Sequence, residues 1–310
     1  MTFWGSCDIL IGNALNCEES RWYPGERKDR EPGMNEFRGS NAYVVSEELL
    51  RSVNIAIALQ KPLLIKGEPG TGKTMLAEAI REALDKKLLI WNIKSTTKAQ
   101  DGLYVYDTVQ RLYDSQFGEQ GVDNIAQYIK LGKLGESFSQ EEQVVLLIDE
   151  VDKADLEFPN DLLWELDKME FYIPETQETV KAKHRPIVVI TSNAEKELPD
   201  AFLRRCIFHY IAFPDQKMMR EIIHAHYGDL EEALLEQAIK AFYQIREMPN
   251  IVKKPSTSEL LDWLQALQIG GVSPERIVEE LPFAGVLLKK TEDLTAVENR
   301  KTRGRGGVRW

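Results

Sequence analysis

The stretch Gly67-Glu68-Pro69-Gly70-Thr71-Gly72-Lys73-Thr74 constrains this chain more than any other. It has the form G-x-x-x-x-G-K-T, with an apolar run before it (Pro62 to Ile65) and a helical stripe after it (Leu76, Ile80, Leu84). Glycines at this spacing let successive backbone N–H groups curl around phosphate oxygens, and the dipole of the following helix adds to the attraction. Lys73 supplies a cation for β- and γ-phosphates, and the Thr74 hydroxyl supplies a ligand for Mg²⁺. From average composition the bare pattern arises by accident in about one chain per hundred. A chance turn would not also stand between a buried strand and an amphipathic helix. Gly67 through Thr74, with Met75 at the helix start, are therefore the candidate nucleotide-binding residues, and ATP with Mg²⁺ is the expected ligand.

The surrounding pattern fits such a loop. Leu88 to Trp91, Val144 to Ile148 and Ile187 to Ile190 are continuous apolar runs, as expected of strands buried on both faces of a parallel sheet. Helical stripes lie between them, for example Leu162, Leu166 and Met169. This predicts an α/β class, an αβα sandwich around a parallel sheet. Ahead of it, Ser46 can cap a helix striped by Leu50, Val53 and Ile57. After Pro214 only helices are expected. Asp215 caps one, and Leu230, Leu234, Ala238 and Ile245 stripe a second. Ser256-Thr257-Ser258-Glu259 is a capping box opening a third that ends at Gly270-Gly271, and Ser273-Pro274 opens a fourth. The predicted organisation is an irregular extension over 1–40, a nucleotide-binding domain over 41–213, a helical lid over 214–292, and a disordered basic tail over 293–310.

Composition removes other classes. At 310 residues the prior is about two domains, and 43% hydrophobic with 29% charged residues allows a full core. The 39 basic against 50 acidic residues, a net of −11, argue against non-specific binding to nucleic acid or anionic membrane. No run approaches the ~18 apolar residues of a membrane span. Phe3 to Cys17 lacks the cationic start of a signal peptide. Cys7, Cys17 and Cys206 are too scattered for a disulfide framework or a zinc site, so a reduced cytosolic protein is expected. His224 and His226, two apart on a helix, do not share a face for a metal. Trp91, Trp164 and Trp263 are read as core.

Three further segments carry chemistry. Leu147-Ile148-Asp149-Glu150 puts an acidic pair where a hydrophobic strand emerges. Asp149 would hold the metal, and Glu150 would polarise an attacking water, which favours hydrolysis over transfer to a small molecule. Thr191-Ser192-Asn193 ends the next strand, where the Asn193 amide could orient that water. Arg204 and Arg205 follow on a short helix and could act as arginine fingers. A finger acting on a neighbouring subunit requires a ring or filament.

Together these segments resemble an AAA+ ATPase. GEPGTGKT is similar to Walker A, LLIDEVDKAD to Walker B, ITSN to sensor 1 and LPDAFLRRC to the finger segment, across about residues 41–292. The wording is closest to the MoxR branch. Lys94 to Tyr104 resembles that clade's helix 2 insert, and Phe171 to Lys183, around Pro174-Glu175-Thr176, resembles the pre-sensor-1 hairpin. The resemblance implies a ring, a hexamer, that remodels protein clients with a separate von Willebrand factor A-type partner. It places the finger at Arg205, just before a strand. One departure stands out. Sensor 2 arginine is expected near Lys254-Pro255-Ser256-Thr257-Ser258, where serine stands instead, leaving Lys253 or Lys254 as substitutes. The competing function is a nucleic-acid motor or translocase, opposed by the acidic balance.

Overall fold

The computed structural model describes residues 36–40, 43–117, 123–228 and 230–304. The expected extension therefore lies largely outside the described residues, as do the last six residues. Among the described residues the strands are β1 (Leu63–Gly67), β2 (Leu88–Asn92), β3 (Tyr104–Tyr106), β4 (Ile129–Leu131), β5 (Val145–Asp149), β6 (Glu170–Ile173), β7 (Glu178–Lys181), β8 (Ile187–Ser192) and β9 (Ile207–Ile211). Five of them form one parallel sheet in the order β2-β5-β8-β1-β9.

Alternate side chains explain the continuous apolar runs. Leu64, Leu146, Ile148, Val188 and Ile190 enter a core on one face with Leu89, Trp91, Phe158 and Phe202. Leu63, Ile65, Val145, Leu147 and Val189 enter a core on the other face. There they meet Leu49 and Val53 of helix Glu47–Leu59 and Leu76 and Ile80 of helix Lys73–Leu84. Each such side chain contributes ~1.5–3 kcal/mol on burial. β9 is the strand expected just after Arg205. It lies at the sheet edge, so the aromatic Phe208 and Tyr210 stay about half exposed.

This order sets the site. The chain leaves β1, forms helix Lys73–Leu84 and crosses past β8 and β5 to reach β2. The phosphate loop follows β1, Asp149 ends β5 and Asn193 follows β8, and those three strands are neighbours. Ligands of open α/β sheets bind at such a switch point, outside the C-terminal strand ends.

Two antiparallel strand pairs lie outside the main sheet. β6 and β7 pair over Phe171 to Val180, matching the expected hairpin. The stretch 94–104, likened above to a helix 2 insert, holds a short helix, Ala99–Leu103, and leads into β3, which pairs with β4. Gly102 lies flat on the Trp91 ring, where a Cβ would fall 2.1 Å from a ring carbon. Helix Thr108–Phe117 follows, presenting Val109, Leu112, Tyr113 and Phe117 to solvent.

The helical region has its own core around Trp263, Phe242, Leu235, Leu260 and Leu264. Its caps are those expected: Asp215 accepts from Met218 N–H, and Glu259 accepts from Ser256 N–H, each at 2.7 Å. Trp91 and Trp263 are buried, but Trp164 is not core. It is 61% exposed, with the Lys168 ammonium 5.7 Å from its ring centroid. No helix among the described residues is long and apolar enough to cross a membrane.

The expectation of disorder from 293 onward is corrected over most of that stretch. Thr291–Gly304 is a helix whose Val297 joins the helical core. Charge and glycine at its C-terminal end hide the short stripe of Leu294 and Val297. Asp293 is fully buried and accepts from Val252 N–H (2.7 Å) and Lys253 N–H (3.2 Å), tying this helix to the lid. Asp293→Ala leaves both N–H groups unpaired and should cost about 1–3 kcal/mol in urea denaturation. An unchanged midpoint would refute this anchoring.

Candidate functional site

The phosphate loop takes its shape from backbone that only glycine adopts readily. Gly70 and Gly72 have φ of +76° and +82°. A Cβ on Gly70 would fall 2.5 Å from the Ser256 Cβ, and one on Gly72 would fall 3.1 Å from the Tyr43 ring. Thr71 donates its hydroxyl to the Glu68 carbonyl at 2.9 Å, closing the loop. Gly72 caps helix Lys73–Leu84 and, having no side chain, places no capping group on its first N–H groups. Lys73 is 6% exposed and donates to the Gly67 and Glu68 carbonyls at 2.9 and 2.8 Å. Burial lowers its pKa below the usual lysine value, while Asp152, Asp149, Glu150 and Glu68 pull it back up. Pro69 and Met75 are exposed at the rim.

Opposite the loop, four strand-end residues form one hydrogen-bonded chain. Thr74 donates to Asp149 at 3.1 Å to Oδ1 and 3.3 Å to Oδ2. Thr191, fully buried, donates its hydroxyl to Asp149 Oδ1 at 2.6 Å and accepts the Glu150 N–H at 2.8 Å. Glu150 turns sharply out of the strand in the left-handed region, φ 59°, which carries its carboxylate away from that of Asp149. Its Oε1 accepts from Asn193 Nδ2 at 2.9 Å, and its Oε2 is paired with the Lys153 ammonium. That contact raises the Lys153 pKa. Asp152, 2% exposed, accepts from the N–H groups of Asn193 (3.3 Å) and Glu195 (2.9 Å), fixing the loop that carries Asn193.

The structure thus brings together Lys73, Thr74, Asp149, Glu150 and Asn193, as the sequence suggested. Thr191, Asp152 and Lys153 were missed as site residues. The signal for Thr191 was present: a hydroxyl at the end of an otherwise apolar run. The oxygen donors of Thr74 and Asp149 suit Mg²⁺, a hard cation that takes oxygen ligands. No group of three or more His, Cys, Asp or Glu among the described residues is placed to hold a metal by itself. Such a cation would therefore be completed by phosphate and water oxygens.

Glu68 does not face the loop interior with its side chain. It pairs instead with Arg246 of helix Glu232–Arg246 at 2.7 Å. The two candidate fingers differ. Arg205 donates Nε to Asp167 at 2.6 Å and another N–H to the Ala201 carbonyl. Arg204 is exposed, and its side chain has no partner among the described residues. Of the two lysines weighed for sensor 2, Lys253 is held by Glu259 at 3.0 Å, and Lys254 is exposed.

The sequence is similar to known proteins over this same region. Residues 62–206 match the family model of the AAA domain (dynein-related subfamily). Among curated proteins, Midasin of Giardia intestinalis is 41% identical over 80 residues, 24% of this chain and 2% of that protein. Midasin of Dictyostelium discoideum is 27% identical over 77 residues, 24% of this chain and 1% of that protein. The chain therefore aligns with only a small fraction of these relatives. The matched region runs from β1 to the segment before β9, the span that holds every strand-end residue described above, and the match supports an AAA+ ATPase.

Proposed function

We propose that this chain hydrolyses ATP in a ring of identical subunits and spends the energy on remodelling or activating a protein client. The observation that carries the reading is the continuous set of hydrogen bonds from Thr74 through Asp149 and Thr191 to Glu150 and Asn193. Lys73 and the loop N–H groups bind the β- and γ-phosphates. Thr74 and Asp149 hold Mg²⁺, which when bound supplies charge neutralisation to the phosphates. Glu150, oriented by Asn193, takes a proton from the attacking water, and for this its carboxylate must be released from Lys153. Glu150→Gln should keep ATP bound and slow turnover by ~10²–10⁴-fold, the usual cost of losing a general base. Turnover near the wild-type rate would refute the assignment.

The ring part of the proposal rests on Arg204 and Arg205, and the resemblance implies a hexamer. Arg204 is the better candidate for the finger, because Arg205 is held by Asp167 of its own chain. A cation reaching the γ-phosphate of a neighbour is worth about 10³–10⁵-fold in turnover. Arg204→Ala and Lys73→Ala should each be inactive alone and recover part of the activity when mixed, because some interfaces then pair two intact halves. Recovery with Arg205→Ala in place of Arg204→Ala would move the role to Arg205, and recovery with neither would refute a shared site.

The client reading draws on the inserted elements, Lys94 to Tyr104 with helix Thr108–Phe117, and on the β6–β7 hairpin. Their side chains are apolar and mixed in charge, without the dense lysine and arginine that tracking along nucleic acid requires. A von Willebrand factor A-type protein is the partner proposed by resemblance to the MoxR branch. Turnover should respond to such a protein and not to DNA. Salt-sensitive stimulation by single- or double-stranded DNA, lost on charge reversal of Lys94 and Lys98, would favour the motor instead.

A further inference from the structure

The lid touches the phosphate loop through Arg246, a residue no motif singled out. Its guanidinium is buried, with a side-chain exposure of 9%, and it meets three parts of the molecule at once. Its central carbon lies 3.3 Å from the Phe213 ring centroid, in the segment that joins β9 to the first lid helix. One N–H donates to the Pro255 carbonyl, immediately before the capping box of helix Thr257–Ile269. Another donates to Glu68 Oε2 at 2.7 Å, inside the phosphate loop. The same capping residue, Ser256, closes against Gly70, where no Cβ would fit.

We propose that Arg246 is a positioning residue for the phosphate loop: its ion pair with Glu68 sets the loop against the first turn of helix Thr257–Ile269, so that lid position and loop shape change together. This inference rests on the reading of the loop as an ATP site. Where Ser258 leaves that helix without the expected arginine, Arg246 gives the lid a charged contact with the nucleotide site, through the loop and not through the phosphate. Arginine suits the task because its planar fork can bond two acceptors while its face stacks on an aromatic ring. Lysine keeps the charge but cannot satisfy Pro255 and Glu68 together on the Phe213 face.

The test uses the full chain, titrated with a fluorescent ATP analogue and assayed for turnover. Glu68→Gln and Arg246→Lys should each weaken nucleotide binding about tenfold, the worth of one charge-assisted hydrogen bond. The double variant should also lose about tenfold, because both changes remove one contact. The loss should fall on KM more than on kcat. A hundredfold loss in the double variant would mean independent effects and would overturn the coupling. If Arg246→Lys fails to fold, Glu68→Gln still decides, because unchanged binding in that variant overturns the proposal. A wild-type chain that binds no ATP analogue overturns the nucleotide-site reading itself, an outcome distinct from wild-type binding that the variants share unchanged.

Discussion

The site depends on the register of three adjacent parallel strands. Ile148 of β5 lies opposite Ile190 of β8, and Lys66 of β1 lies opposite Ser192 of β8. The three strands therefore end at one level, and their first polar residues arrive together. Thr191 converts that alignment into a fixed geometry, because its one hydroxyl donates a hydrogen bond to Asp149 and accepts one from the Glu150 N–H. Two adjacent carboxylates are thereby held in different places: one beside Thr74, the other beside Asn193. A one-residue slip of β8 would turn Thr191 to the opposite face and break both bonds. The buried apolar residues on both faces of β5 and β8 make that slip costly, so the core fixes the chemistry.

Much of this was legible before any coordinate. The continuous apolar runs identify buried parallel strands because a residue pointing either way meets a core. The phosphate loop identifies itself, and the caps at Asp215 and Ser256 fall where local hydrogen bonding demands them. What could not be read depends on tertiary placement. A strand is expected just after Arg205, but its place at the sheet edge, which leaves Phe208 and Tyr210 half exposed, shows only once the sheet is assembled. Trp164 resembles its buried counterparts in sequence and differs only in the direction its helix faces. The helix over 291–304 is set by one buried carboxylate, Asp293, and by the apolar contacts of Leu294, Ala296 and Val297, beneath the threshold of any periodic signal.

Arg246 shows the same limit at the functional site. In sequence it is the last residue of an apolar-striped helix, where a basic side chain ordinarily complements the helix dipole. Its partner Glu68 lies 178 residues away, and no local pattern links the two. Glu68 itself was read with the loop as a nucleotide contact. Its backbone does serve there, accepting from Lys73 and Thr71, but its carboxylate belongs to the lid. One residue thus belongs to the loop by its main chain and to the lid by its side chain.

The charges at the site are already paired with one another. Lys153 is bonded to Glu150 and Arg246 to Glu68, while Lys73 is held by two carbonyls within reach of four carboxylates. An incoming polyphosphate meets an acidic site in which each of these cations is engaged. Two consequences follow from electrostatics alone. A nucleotide bound there would need to bring a divalent cation, because Asp149 would otherwise repel the phosphates that Lys73 attracts. Some existing pair must also open for the phosphates or the attacking water to be served. Under the proposed hydrolysis, the Lys153–Glu150 pair would be the one to open, freeing Glu150 to act as base. The Arg246–Glu68 pair lies where the lid meets the loop, and keeping it closed would transmit the rearrangement to the helical domain. On that reading, binding and catalysis would draw on the same ion pairs that hold the site together.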